Sequence, residues 1–312
     1  MGVRPMDDFE EFLNKNRRVS TMKKNPKIIT WEKSICVYID FLGFKTLSAE
    51  IITHKNEELI KKIYEAITEF ILPMNWHKNK KIKIFSFSDS VIAIFELDNF
   101  SPTDKNNSNA TMTDFDSAMM IIAVHIPFLI LQLMENDIIV RGGVSIGVTK
   151  LVEDKDAMGI DELSSYGYNR PDFNFLVSEA LVKAHNIEIT IKYPFIAVDK
   201  ETYNYMINLD GLQHYGKDFL NKKDIEKYFV EEIIGNECFY IIDYLFLLYK
   251  EDLCFSDVLE KHKELIEKNI KINKNNEEIL DKFRRLRKYH NDSIEKISKE
   301  FNEDYQNLII SD

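Results

Sequence analysis

Three charged side chains stand in runs where charge is costly. Asp40 lies in CVYIDFLGF, Cys36–Phe44, surrounded by Cys36, Val37, Tyr38, Ile39 and Phe41, all residues of strand character. Asp89 lies between the two β-rich runs of KKIKIFSFSDSVIAIFEL, Lys80–Leu97, with Ser88 and Ser90 on either side. Arg141 interrupts DIIVRGGVSIGV, Asp137–Val148, next to Gly142 and Gly143. A carboxylate among apolar neighbours is stable only when paired, hydrogen-bonded or metal-bound, so Asp40 needs a cation or several donors. Gly43 lets the chain turn with its N–H groups outward, which makes a small anion nest at a helix start. Carboxylate and nest together suit a metal-bound phosphate. An arginine nearby could hold that phosphate through forked, charge-assisted hydrogen bonds.

Each residue also has a plainer reading. Asp40 could cap the following helix, with Gly43 only permitting the turn. Asp89 could be a turn residue at the tip of a hairpin. Arg141 could form a surface salt bridge, and the glycine pair marks close approach of another backbone or of a ligand.

The elements that must position these side chains follow from periodicity. After the first strand, apolar residues at helical spacing from Leu47 to Ile71 predict a helix over residues 44–72, ended by Pro73. A hairpin follows with Asp89 at its tip. AMMIIAVHIPFLILQLM, Ala118–Met134, approaches membrane-spanning length, but it contains His125, Pro127 and Gln132 and is flanked by acids, so it reads as a buried core helix. FLVSEALVKAHNIE, Phe175–Glu188, is amphipathic. KYPFIAVDK and ECFYIIDYLF, the latter Glu237–Phe246, read as further strands. From Ser256 onward, Lys- and Glu-rich sequence with apolar residues at helical intervals predicts a helical hairpin. Its basic cluster Arg284, Arg285, Arg287 and Lys288 reads as a solvated helix face or as a reach toward phosphate, and His290 as a satisfied interface histidine or polar lining.

Composition narrows the function classes. With 45% hydrophobic residues and only ten glycines and seven prolines in 312 residues, the chain can bury a large core. The net charge of −11 argues against broad, sequence-independent nucleic-acid binding. Cys36, Cys238 and Cys254 show no metal-ligand spacing and sit in apolar runs, which predicts reduced, buried thiols in a cytoplasmic protein. The first residues lack the apolar core of a signal peptide. The expected organisation is a polar arm over 1–30, an α/β catalytic domain over 31–250 and a helical appendage over 251–312.

In order, IDFLGF, FSFSDS and RGGVSIG resemble the catalytic core of class III nucleotidyl cyclases, over about Cys36 to Glu188. The resemblance implies an α/β (α+β) fold with a ferredoxin-type sheet flanked by helices. It implies Asp40 and Asp89 as ligands of two divalent cations, Mn2+ or Mg2+. The backbone of Phe41, Leu42, Gly43 and Phe44 would cradle the triphosphate, with Ser88 beside it, and Arg141 would contact phosphate. It also implies a homodimer with composite sites.

Two positions depart from the purine cyclases. Four residues before the hairpin carboxylate, where that family reads the purine with Lys or Glu, stands Phe85, which could only stack on a base or wall it off. On the segment Phe175–Glu188, Val182 and Asn186 occupy the places of the transition-state Asn and Arg. The Phe-Ser-Asp-Ser hairpin and Arg-Gly-Gly strand look most like the pyrimidine cyclases of bacterial antiphage systems. By that resemblance the substrate is UTP or CTP, the product a 3′,5′-cyclic pyrimidine monophosphate, and the partner a separate effector that the product activates. Tyr166–Asp172 are further base-pocket candidates. A purine cyclase with an atypical base pocket and an inactive nucleotide-binding relative are the alternatives.

Overall fold

A run of residues buried on both faces makes a central strand, and β1, Glu32–Phe41, is one. In the computed structural model, which describes residues 31–71, 82–87, 89–97, 121–152, 175–208, 225–250 and 254–311, β1 lies inside an eight-stranded mixed sheet. The hairpin β2, Ile82–Phe87, and β3, Ser90–Glu96, closes on the pair Phe87 and Ser90, so Asp89 is in its two-residue connection. β3 pairs antiparallel with one edge of β1, and β4, Val140–Val152, pairs antiparallel with the other. The resulting order β2-β3-β1-β4 is that of a ferredoxin-type sheet. Beyond β4 the sheet continues through β6, Ile196–Asp199, then β8, Glu237–Ile242, then β7, Phe229–Ile234. The short β5, Phe175–Ser178, pairs with the far end of β4.

Helices cover both faces. Between β1 and β2 run α1, Phe44–His54, and α2, Glu57–Ile71; α3, Ile126–Met134, follows a single π turn at Ile121–His125. Ala66 and Phe70 of α2 and Leu129 and Leu133 of α3 pack in one core with Ile35, Val37, Ile39, Val91 and Ala93 of the sheet. On the opposite face α4, Glu179–Ile191, lays Ala180 and Ala184 against Cys36, Ile92 and Ile94. After α5, Lys200–Asn208, the chain reaches α6, Tyr244–Lys250, and the long pair α7, Phe255–Ile272, and α8, Glu277–Phe301. The expected helical hairpin at the C-terminus is therefore present.

Several boundaries differ from those expected. The segment 44–72 is two helices, because Lys55 is left-handed (φ 49°) and Asn56 Oδ1 accepts the Leu59 N–H to start α2. Phe175–Ser178 is strand, and Ser178 then caps α4 by accepting the Leu181 N–H. The strand expected over Glu237–Phe246 stops at Ile242, where the Asp243 carboxylate accepts the Phe246 N–H and a helix begins. Helix 118–134 is described from Ile121; Pro127 has no N–H to offer and marks the change from π to α geometry. Of the cysteines only Cys36 is buried; Cys238 is half-buried and Cys254 exposed. Among the described residues no helix is long and apolar enough to cross a membrane.

Candidate active site

Strand register alone gathers the three charged residues. Asp40 is the Cα partner of Arg141 on β4 and of Ser90 on β3, directly after Asp89. Partners directly opposite share a face, and so do residues two apart, so Asp40, Arg141, Ser90 and Tyr38 all face α4. The Phe41 N–H donates to the Asp89 carbonyl at 2.8 Å, which ties the hairpin tip to the end of β1. Two carboxylates distant in sequence thus meet at one corner of the sheet.

Asp40 is 9% exposed, and it does not cap α1: Gly43 is the cap residue, at φ 75°, with no side-chain bond to the helix. Its partner is Arg141, whose Nε donates to Oδ2 at 2.9 Å. The same Nε lies 2.5 Å from Oε1 of Glu188, which reaches down from α4. That nitrogen carries one hydrogen, directed at Asp40, and Glu188 Oε1 accepts no hydrogen bond from any described residue. Burial raises the carboxyl pKa of Asp40; the Arg141 hydrogen bond and charge oppose this, and nearby Asp89 adds to it. Burial also raises Glu188, against the charge of Arg141. Arg141 is three-quarters buried, so the salt bridge is internal, not at the surface. No described residue accepts a hydrogen bond from its Nη1 or Nη2.

The glycines beside Arg141 are explained by backbone. A Cβ on Gly142 would overlap the Tyr38 carbonyl, and one on Gly143 the Ala184 carbonyl of α4. The missing Cβ at Gly143 lets α4 settle onto the sheet, which brings Glu188 within reach of Arg141. In the expected cradle, the Leu42 N–H donates to Ile139 and the Phe41 N–H to Asp89. The amides of Gly43, Phe44 and Lys45, at the start of α1, have no acceptor among the described residues. They are the ones open to an anion.

Phe85 is on the same face of the sheet as Asp40 and stacks on Phe87, with ring centroids 6.3 Å apart and planes within 7°. Phe87 is 61% exposed, so the pair presents an aromatic surface beside α4. Tyr38 bonds Ser90 Oγ at 2.9 Å and meets the His185 ring edge-on at 5.0 Å. Val182 is 59% exposed and Asn186 is exposed on the outer side of α4. Ser88 and Tyr166–Asp172 lie outside the described residues. The basic cluster of α8 is engaged elsewhere: Arg284 with Glu277, Arg285 with Glu232, Arg287 with the Ser311 carbonyl and Lys288 with Asp292.

Glu188 and its helix neighbour His185 were not among the expected site residues. The signal was available: Ala180, Ala184, Ile187, Glu188 and Ile191 form the buried stripe of α4, and a glutamate in such a stripe requires a partner. Among the described residues no three His, Cys, Asp or Glu side chains cluster as a metal site. Asp40 and Asp89 supply hard oxygen donors from two side chains. That suits Mg2+ or Mn2+ arriving with a nucleotide, since such ions take one or two carboxylates together with substrate phosphate oxygens.

No protein-family model matches the sequence, and no curated protein matches it. Among solved structures, the chain is similar to the dimeric guanylyl cyclase domain of the RhoGC fusion protein from the aquatic fungus Blastocladiella emersonii, with TM-score 0.40 and 11% identity over 68% of this chain and 94% of that one. The guanylyl cyclase Cya2 gives TM-score 0.40 and 11% identity over 69% and 93% of the two chains. A bacterial light-regulated adenylyl cyclase gives TM-score 0.40 and 14% identity over 77% and 64%.

Proposed function

We propose that this chain is a nucleotidyl cyclase that converts UTP or CTP to the 3′,5′-cyclic monophosphate and pyrophosphate. The observation that carries this reading is the convergence of Asp40, Asp89 and Arg141 at one corner of the sheet, beside the open amides of Gly43 to Lys45. Asp40 and Asp89 would hold two divalent cations, Mn2+ or Mg2+. When bound with the nucleotide, these would lower the pKa of the ribose 3′-hydroxyl and neutralise charge on the departing pyrophosphate. The 3′-oxygen forms its bond to the α-phosphorus as the bond to pyrophosphate breaks, and the hydroxyl proton passes to solvent. Positioning dominates such a reaction, so the protein's own work is to hold the triphosphate. The Gly43, Phe44 and Lys45 amides and the Arg141 Nη atoms, which no described residue engages, would do that work.

The absence of a Lys or Glu at Phe85 favours a pyrimidine over a purine, and the stacked pair Phe85 and Phe87 offers a flat surface to a base. Apolar side chains exposed around α4, among them Phe87, Val182 and Ile189, suit burial against a second copy of the chain. On this reading the protein is a cytoplasmic messenger synthase in antiphage defence whose product acts on a separate effector.

Asp40→Ala and Asp89→Ala are each expected to abolish cyclic product while leaving the melting temperature close to that of the unaltered chain. Unchanged turnover in either variant contradicts the proposal. A second reading, a nucleotide-binding protein without turnover, is favoured by the uncharged Val182 and Asn186 on α4. It expects triphosphate binding with no product at millimolar Mn2+.

A further inference from the structure

Glu188 is a buried carboxylate that the proposed reaction does not use. It is 3% exposed, and its Oε1 has no hydrogen-bond donor among the described residues. Such a group is held only by a neighbouring charge, here the guanidinium of Arg141 with Nε 2.5 Å away. The Nε hydrogen, however, goes to Asp40 Oδ2. Two carboxylates therefore face one N–H: Asp40 from β1 receives it, and Glu188 from α4 stands ready at bonding distance without it.

A divalent cation at Asp40 draws on the same carboxylate whose Oδ2 accepts from Arg141, and its charge repels the guanidinium. Without a second acceptor, Arg141 would either resist the cation or be driven out of the corner where phosphate is bound. We propose that Glu188 is a positioning residue that receives the Arg141 guanidinium when a divalent cation takes Asp40, an inference that rests on the cyclase reading for its metal-binding pair. The required motion is small. Reorienting Nε–H from Oδ2 toward Oε1 keeps Arg141 beside the site, with Nη1 and Nη2, which no described residue engages, left to a phosphate. A cavity of about 530 Å3, lined by Arg141, Glu188, Lys192 and Tyr193 among others, gives the side chain room. Gly143 takes part as well, because it permits the close approach of α4 that brings Glu188 down.

The test is Mn2+ uptake by the full chain, read from the electron paramagnetic resonance signal of the free ion, with and without inorganic triphosphate. The variants are Glu188→Gln and Glu188→Asp, each alone and combined with Arg141→Met. Glu188→Gln is expected to weaken Mn2+ binding roughly tenfold, as removal of a residue that supports a metal ligand does. Glu188→Asp should recover most of that loss. In the Arg141→Met background the effect of Glu188→Gln should vanish, since no guanidinium then needs a second acceptor. An equal loss in both backgrounds, or none in either, overturns the inference, as does an unaltered chain that takes up no Mn2+ in either condition. Thermal melting reports folding; should Glu188→Gln not fold, Glu188→Ala in the two backgrounds reads the same coupling. A chain that shows the coupling but makes no cyclic nucleotide keeps this inference and loses the cyclase reading. One that makes product without the coupling loses the inference alone.

Discussion

Two buried polar clusters in this molecule differ in how completely their groups are bonded. At the C-terminal helices, Tyr244 bonds His262 Nε2 at 2.7 Å, His262 Nδ1 meets His290 Nδ1 at 2.9 Å, and His290 Nε2 meets the Leu308 carbonyl at 3.0 Å. Because a carbonyl only accepts, the protons are assigned in one direction: Tyr244 donates to His262, His262 to His290, and His290 to Leu308. Both imidazoles are neutral and every nitrogen is used. Beside them Asp243, 1% exposed, accepts from Tyr289 Oη at 2.9 Å, from Lys296 Nζ at 2.7 Å and from the Phe246 N–H at 3.3 Å. The Asp40 corner is the opposite case, with two carboxylates sharing one Arg141 N–H. A satisfied network fixes α6, α7 and α8 to one another; a corner short of donors retains capacity for a ligand.

Substitution can break that contrast from either side, and the largest effect is expected in the satisfied cluster. Asp243→Ala leaves the half-buried Lys296 without its counter-charge and the buried Tyr289 without its acceptor, and it is expected to lower unfolding free energy by about 3 kcal/mol in a urea titration. Loss of under about 1 kcal/mol would mean that the cluster is not what holds these helices.

Acid should find the same cluster next. Burial lowers the His290 pKa to about 4 and that of His262 well below its ordinary 6.5. The unfolded chain therefore binds more protons than the folded one between about pH 4 and 6.5, and stability falls as pH drops through that window. For His290 alone the loss approaches about 3 kcal/mol, measured as the pH dependence of denaturation. It should be flatter in His290→Asn. A pH-independent midpoint across that range would contradict the neutral chain assigned above.

The aromatic surface gives the smallest effect. Phe85→Ala should raise KM for the preferred nucleotide about tenfold while leaving stability nearly unchanged. A large loss of stability instead would assign Phe85 to the core.

What could be read from the sequence divides along physical lines. β1 and the Arg-Gly-Gly strand were legible because burial on both faces writes a continuous apolar run around each charge, and the hairpin because two β-rich runs flank the short polar turn that holds Asp89. The break at Lys55 was not, because the left-handed turn falls on a lysine and leaves the apolar spacing of 44–72 intact. At Asp243 the apolar run continues from strand into helix without a change of composition, so only the side-chain bond to Phe246 marks the boundary. β7 was missed because its exposed Glu231 and half-buried Glu232 hide the alternation. In the site, Asp40, Asp89 and Arg141 stood out singly, and register explains their convergence. Glu188 did not stand out, since its partner lies on another element and is brought to it by α4 settling on Gly143.

The most direct measurement is to incubate the purified chain with Mn2+ and an equimolar mixture of ATP, GTP, CTP and UTP, and to identify the cyclic products by mass spectrometry. A single cyclic pyrimidine monophosphate, formed with pyrophosphate and lost in Asp89→Ala, is the expected result. A purine product would keep the cyclase and overturn the reading of Phe85. Absence of any cyclic product, with triphosphate still bound, would contradict the central claim and make the Asp40 corner a binding site.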